Sequence, residues 1–394
     1  MIQLPPADTQ APCPHFPACG GCTIQDRLPA TQANYKEAWL QDLLAPILTT
    51  GELQPLLRST PEESYFFRGK IRYGFLATEQ GIVASRHGEG VESAEVPIQT
   101  CLLQSPLSVE LARFTAEFAT HQGWQVFNPK THQGTLKHLL VREGKRTGEC
   151  LISLVTTETK LSHLIEWALQ IQSNFPTVTS IYQTKTQGRN NERSEDVHLA
   201  GERVIHETIG HYTFTISPHA FFQTNTLLVE RLYTVIKEMA DLNPEDILWD
   251  LYAGSASIGI FLSQSVKNVL SIESNLQNIA DAAENLRHNA VSNVEIAAGS
   301  LEKVITSAFI KQHAPPSVIV VDPPRAGLSE TLRVILPNLR ANRIIYTSCN
   351  PLTFRRDAEI LLKSGYRLES VQGLDMFPHT LHCELVARFR ILSI

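Results

Sequence analysis

Trp249-Asp250-Leu251-Tyr252-Ala253-Gly254-Ser255-Ala256-Ser257-Ile258-Gly259 joins an apolar run that reads as a strand, Asp246 to Leu251, to a run that reads as a helix, Ile258 to Ser265. A glycine turn between strand and helix lets the backbone approach a ligand closely and aims helix N–H groups at it. Outward from this turn the pattern repeats. Strands fit Asn268 to Glu273, Val294 to Ala298, Ser317 to Val321 and Arg343 to Thr347. Helices fit Gln277 to Asn289, Leu301 to Ile310 and Leu352 to Ser364, and Ala220 to Asp241 has helical periodicity before the first strand. Strand and helix in alternation predict a parallel, doubly wound α/β sheet with helices on both faces.

In such a sheet the carboxyl ends of neighbouring strands share one crevice. Asp250, Glu273, Asp322 and Cys349 all end strands, so all four are expected on that rim. An acid at the position of Glu273 can accept hydrogen bonds from both hydroxyls of a ribose. A dinucleotide would need a G-x-G-x-x-G turn for its pyrophosphate, and none is present. A cofactor without pyrophosphate, such as S-adenosylmethionine, needs less glycine. Pro323 and Pro324 stiffen the backbone behind Asp322. Adenine-methylating enzymes follow this motif with an aromatic residue that stacks on the base; Arg325 stands there instead. Cys349 lies between the Ile344-Ile345 strand and Pro351, which suits the first turn of a helix. Helix N-terminal amides favour thiolate, so a nucleophilic sulfur and covalent catalysis are expected.

The first half is different. Strands fit Arg68 to Phe75, Leu136 to Arg142 and Cys150 to Thr156, with a turn at Glu143 to Gly148. Helices fit Leu107 to Gln122 and Lys160 to Asn174, and Thr184 to Asp196 reads as a loop. This is an α+β pattern, and it divides the chain into residues 1–209 and 210–394. Arg68, Lys70 and Arg72 are expected on one strand face among Tyr65, Phe66, Phe67 and Tyr73. That arrangement suits single-stranded RNA, with cations on phosphates and rings on bases. The net charge of −6 excludes a generally basic nucleic-acid coat, so such binding has to be local. No apolar run reaches membrane-spanning length and no secretory signal precedes Ala11, so no membrane association and a cytoplasmic location are expected.

Cys13, Cys19 and Cys22 form C-x5-C-G-G-C, and Cys101 is available as a fourth thiolate. Such a set in a cytosolic chain points to zinc or an iron–sulfur cluster, and spacing alone does not choose between them. Cys150 and Cys383 have no evident role.

Taken together, several motifs resemble the uracil-5 RNA methyltransferase family. They are Cys13-Pro14 through Cys22, Phe221-Phe222-Gln223-Thr224-Asn225, the Asp250 to Gly254 loop, Asp322-Pro323-Pro324-Arg325, Ser348-Cys349-Asn350-Pro351, and Met376 to Thr380 with Glu384. The resemblance implies a Rossmann-like S-adenosylmethionine-dependent domain behind an α+β domain that carries a [4Fe–4S] cluster on Cys13, Cys19, Cys22 and Cys101. It implies Cys349 as the nucleophile on uracil C6 and Glu384 as the base that removes the C5 proton. Burial would raise the Glu384 pKa and suit it to that task. Gln223, Tyr252, Glu273 and Asp322 match positions that contact the cofactor or the base. The substrate implied is 23S ribosomal RNA, with transfer RNA as the alternative, and a monomer is expected. Methylation of cytosine C5, or an inactive iron–sulfur RNA-binding protein, are the other readings. Two departures stand out. Only twelve residues precede Cys13, so the N-terminal RNA-binding (TRAM) barrel of many relatives is expected to be missing. Ala256 replaces a common glycine, and alanine tolerates positive φ poorly.

Overall fold

The computed structural model describes residues 3–49, 51–87, 95–157, 160–187 and 193–392. The alternation in the second half builds most of an eight-stranded sheet. Ile247–Leu251 pairs in parallel with Asn268–Glu273 on one side and Val318–Val321 on the other. Val294–Ala298 and Arg343–Ser348 extend these two sides, again in parallel. Glu384–Ile391 then runs antiparallel between Arg343–Ser348 and Tyr366–Leu374. The last position is taken by Glu52–Leu57, a strand from far upstream, parallel to Tyr366–Leu374. The central strands are buried on both faces, as expected of parallel sheets covered by helices. One face carries a core that includes Leu40, Leu44, Leu336 and Phe354; the other includes Leu232, Ile236, Ile258 and Ala282.

Capping residues fix where the helices behind the rim begin. Asn275 accepts from the Gln277 and Asn278 amides, and Asn350 accepts from the Leu352 amide with Pro351 at the first helical position. Cys349 is thus placed one residue before a helix cap, at the end of a strand.

Residues 70–201 contribute a seven-stranded sheet with the order 95–97, 81–87, 70–78, 136–143, 150–156, 178–187, 193–201. Its pairs are antiparallel except Cys150–Thr156 with Val178–Gln187, which are joined through the helix Leu164–Asn174. That helix and Pro106–His121 cover one face, around Tyr73, Leu111, Leu154 and Trp167. The segment expected to be a loop, Thr184 to Asp196, is largely two paired strands instead. Their alternating polar residues hid them; residues 188–192 lie outside the described residues. Among the described residues no helix is long and apolar enough to cross a membrane.

The metal expectation is corrected. Cys13, Cys19, Cys22 and Cys101 line one cavity of about 30 Å³, and all are free thiols. Yet among the described residues no group of three or more His, Cys, Asp or Glu side chains is placed to hold a metal ion. This finding supports neither a [4Fe–4S] cluster nor zinc. The cavity has room for little more than a water molecule. Burial, followed by the neighbouring cysteines, pushes Cys22 up to about 12, and burial also raises Cys101. Cys22 packs against Phe67 and Leu103 as a small apolar side chain.

Candidate active site

The order in which the chain adds strands reverses between Ile247–Leu251 and Val318–Val321, which is where a crevice opens in a doubly wound fold. A cavity of about 380 Å³ lies there, lined by Gln223, Tyr252, Glu273, Asp322, Cys349 and Glu384 among others. The six residues to which the resemblance gave catalytic or cofactor-binding roles therefore line one space. Asp250, also expected on the rim, sits instead beneath it, 1% exposed.

The turn after Asp250 is built from left-handed residues. Tyr252, Gly254 and Ala256 have φ of 60°, 57° and 59°. Ala256 takes the conformation for which glycine is the usual choice, so the substitution changes the strain and not the path. The turn is pinned by Glu273, whose Oε2 accepts from the Gly254 amide at 2.8 Å and whose Oε1 accepts from the Ser274 and Asn275 amides at 2.7 Å each. A carboxylate has about four acceptor sites, so capacity remains for hydroxyl donors of a ligand. Gly259 allows the following helix to press onto the sheet: a Cβ there would meet Ser271 Oγ at 2.7 Å.

Asp322 lies at the centre. Gln223 Nε2 donates to its Oδ2 at 3.2 Å. Burial pushes its pKa up to about 6, opposed by hydrogen bonds from Thr347 and Gln223. Gln223 is held in turn because Gly69 N donates to Thr224 O and Asn225 Nδ2 donates to Met376 O. Glu384 is 3% exposed, and burial together with Asp322 raises its pKa well above the ordinary carboxylate range, in the direction expected.

Cys349 departs from expectation in sign. Its thiol is pushed up to about 11, first by burial and then by Glu384 and Asp322, against a lowering by Arg325. Two carboxyl groups and partial desolvation outweigh the helix N-terminus, whose influence is limited to the first turn. The sequence placed the thiol correctly and missed its charged neighbours.

Arg325, Phe377, Phe221 and Asn278 also line the cavity and were not singled out as site residues. Phe221 is 57% exposed at its edge, with its amide bonded to Asn278 Oδ1. Asn278 carried no sequence signal beyond its place in a helix.

The basic stripe is only partly formed. Lys70 and Arg72 lie on the strand Lys70–Thr78, half-buried and exposed respectively. Arg68 precedes that strand, bridges to Asn225 and turns into the cysteine-lined cavity. Tyr73 and Phe67 are buried, Tyr65 packs on His379 with ring centroids 4.8 Å apart, and Phe66 alone of the four rings is exposed. Lys70 is lowered to about 8 by burial, then by Arg142 and Arg72, so its surroundings are cationic.

Comparison with known proteins places this geometry. Residues 199–388 match the family model described as tRNA (Uracil-5-)-methyltransferase. An uncharacterized RNA methyltransferase of Halalkalibacterium halodurans is 35% identical over 391 residues, covering 98% of this chain and 84% of the relative. One from Bacteroides thetaiotaomicron is 31% identical over 405 residues, covering 98% and 88%. Among solved structures, the Pyrococcus abyssi tRNA (uracil-54, C5)-methyltransferase in complex with S-adenosyl-L-homocysteine is similar with a TM-score of 0.76 and 30% identity, covering 95% of this chain and 86% of that one. The expectation of 23S ribosomal RNA as substrate is corrected by these findings, since the family model and the archaeal structure both carry tRNA in their descriptions. The motifs read from the sequence do not by themselves identify the RNA.

Proposed function

The chain belongs to the uracil-5 RNA methyltransferase family and is an RNA (uracil-5-)-methyltransferase, and from that premise we propose that it methylates C5 of a uridine in transfer RNA, in the cytoplasm, with Cys349 as nucleophile and Glu384 as base. The observation that carries the residue roles is the meeting of the Cys349 thiol, the Glu384 carboxyl and the Asp322–Gln223 pair around one cavity of about 380 Å³. The tRNA assignment rests on the archaeal tRNA enzyme and the tRNA family model.

S-adenosylmethionine would supply an electrophilic methyl group on a sulfonium. The donor set fits it. Glu273 has acceptor capacity for the ribose hydroxyls, and its bond to the Gly254 amide keeps the turn backbone beside it; Tyr252 also lines the cavity.

The chain's own residues do the rest. Cys349 first loses its proton to solvent, helped by the Arg325 cation. The sulfur then bonds to uracil C6. The C5=C6 electron pair moves to C5, where it is shared with the O4 carbonyl, and C5 takes the methyl group as the methyl–sulfonium bond breaks, its electron pair leaving with a neutral thioether. Glu384, in its ionised form, takes the C5 proton and afterwards passes it to solvent. The released electron pair rebuilds C5=C6, and the C6–S bond breaks to return the thiolate. The target base has to leave its stack for the sulfur to reach C6. Gln223 and Asp322 present a donor and an acceptor to a planar base, and Phe221 and Phe377 give it apolar walls. Lys70 and Arg72 contact the RNA backbone near the mouth, where phosphates neutralise the cationic surroundings of Lys70.

The test uses methyl-labelled S-adenosylmethionine with unmodified tRNA and 23S rRNA transcripts, together with tritium release from C5-labelled uridine or cytidine. Label in 5-methyluridine of tRNA and tritium release from uridine are expected. Label confined to ribosomal RNA would remove the tRNA assignment.

A further inference from the structure

Glu384 is the first residue of its strand, and across the antiparallel ladder it pairs with Leu374, the last residue of the preceding strand. The connection from Asp375 to Cys383 therefore closes directly onto the proposed base, and it carries Phe377 into the cavity. Within the connection Thr380 Oγ1 donates to the Phe377 carbonyl at 2.8 Å, and Asn225 Nδ2 donates to the Met376 carbonyl at 3.0 Å; further side-chain bonds come from residues near the start of the chain. Lys36, 0% exposed on the helix Pro29–Leu44, donates to Asp375 Oδ1 at 2.6 Å and to the Phe377 carbonyl at 3.0 Å. Ser59 donates to the other Asp375 oxygen at 3.1 Å, and the Asp375 amide bonds Leu57 O.

One turn before Lys36 on that helix, Gln32 accepts from the His379 amide at 2.9 Å and meets His379 Nδ1 at 3.3 Å. The Thr23 and Ile24 amides donate to the His379 carbonyl, and His379 Nε2 lies 3.0 Å from the Ser64 carbonyl. Packing alone does not call for a buried ammonium here. Desolvating both ions of a Lys–Asp pair offsets much of their attraction, and an apolar pair of similar volume is often as stable. What the ammonium supplies, and an apolar side chain cannot, is a directed bond to the carbonyl of Phe377.

We infer that Lys36, with Asp375 as its anchor, is a positioning residue for the catalytic step: it sets the loop that presents Phe377 to the base and Glu384 to its proton, so that residues 23–64 are a working part of the active site. The inference rests on the proposed role of Glu384. It assigns the clamp to one half of the reaction. Adduct formation needs Cys349, which is carried by a different strand and helix cap. Proton removal needs Glu384, which the clamped loop precedes.

The test is single-turnover kinetics of the full-length enzyme with tRNA. The rate at which a denaturant-stable RNA–protein adduct appears is measured beside the rate of tritium release from C5. Lys36→Met leaves the Asp375 charge buried and unpaired, so Lys36→Met with Asp375→Leu is the main variant and Lys36→Met alone the second. The double variant is expected to form adduct within about threefold of the parent rate while tritium release slows at least tenfold, so that adduct accumulates. Both rates unchanged, or both lowered by the same factor, would overturn the inference. If the parent enzyme forms no adduct on the way to product, the proposed roles of Cys349 and Glu384 fail, and that outcome is read from the parent alone.

Discussion

Replacing Asp250 by Asn is expected to stabilise the protein relative to the parent by an amount that grows as pH rises from about 4 to about 7 and levels off above it. Asp250 Oδ2 accepts from the Gly259 amide at 3.1 Å and from Ser271 Oγ at 3.4 Å, while Oδ1 is buried with no partner among the described residues. Burial, with Asp322 and Glu273 adding to it, pushes the pKa from 3.8 to about 7. The folded state therefore binds more protons than the unfolded chain between those values, and stability falls as pH rises through that window. The contribution is fully present below 3.8 and is lost once pH passes about 7. The two pH units between 5 and 7 are worth about 2.7 kcal/mol. Asn has the shape of the neutral acid and does not titrate. The difference in unfolding free energy, Asn minus Asp, should grow by about 2.7 kcal/mol between pH 5 and pH 8. Urea denaturation followed by tryptophan fluorescence at both pH values measures it; Trp249 is next to the substituted residue and fully buried. A difference that stays constant with pH, or an Asp protein that gains on the Asn protein as pH rises, would refute the reasoning.

The Cys349 thiol, up at about 11, should be alkylated by iodoacetamide in RNA-free enzyme at a rate that climbs about tenfold per pH unit from 7 to 9. Glu384→Gln should speed that alkylation at pH 8 and Arg325→Met should slow it; a plateau below pH 8 would show the electrostatics to be wrong. Glu273→Gln should raise KM for S-adenosylmethionine by about tenfold or more while kcat changes little, because a charge-assisted acceptor is lost. An unchanged KM would remove Glu273 from the cofactor site. Lys70→Met and Arg72→Met should raise KM for tRNA, and each should flatten the dependence of log affinity on log salt by roughly 0.7–0.9. An unaltered salt slope would show that neither side chain meets a phosphate.

The catalytic sheet was legible because buried parallel strands leave apolar runs punctuated at their ends, by an acid at Glu273 and Asp322, by Gly299 after Ala298, and by the Cys349-Asn350-Pro351 turn. The tips at Glu273, Asp322 and Cys349 could be read before any coordinates. Glu52–Leu57 could not be read as part of that sheet, since its pairing with Tyr366–Leu374 is a contact across more than three hundred residues. The clamp on Asp375–His379 was hidden for the same reason. Lys36 and Gln32 look like ordinary helical polar residues, and only the fold reveals that they are buried. Arg68 misled because the strand begins only at Lys70; Arg68 pairs with Asn225 instead, a partner distant in sequence, and lines the cysteine cavity. The cysteine cluster shows that side chains can converge on one small cavity without being placed as a metal-holding group. The sign of the Cys349 shift required knowing that Glu384 stands near it, which no local pattern encodes.

The central claim is a transient bond between the Cys349 sulfur and C6 of a tRNA uracil. The most direct measurement gives the enzyme methyl donor and tRNA transcribed with 5-fluorouridine, which has no C5 proton for Glu384 to remove, and then maps any RNA–protein cross-link by mass spectrometry of the peptide. A methylated fluorouridine attached to Cys349, and no cross-link with Cys349→Ser, is the predicted result. A Cys349→Ser protein that still methylates ordinary tRNA at the parent rate, or a cross-link at another residue, would contradict it.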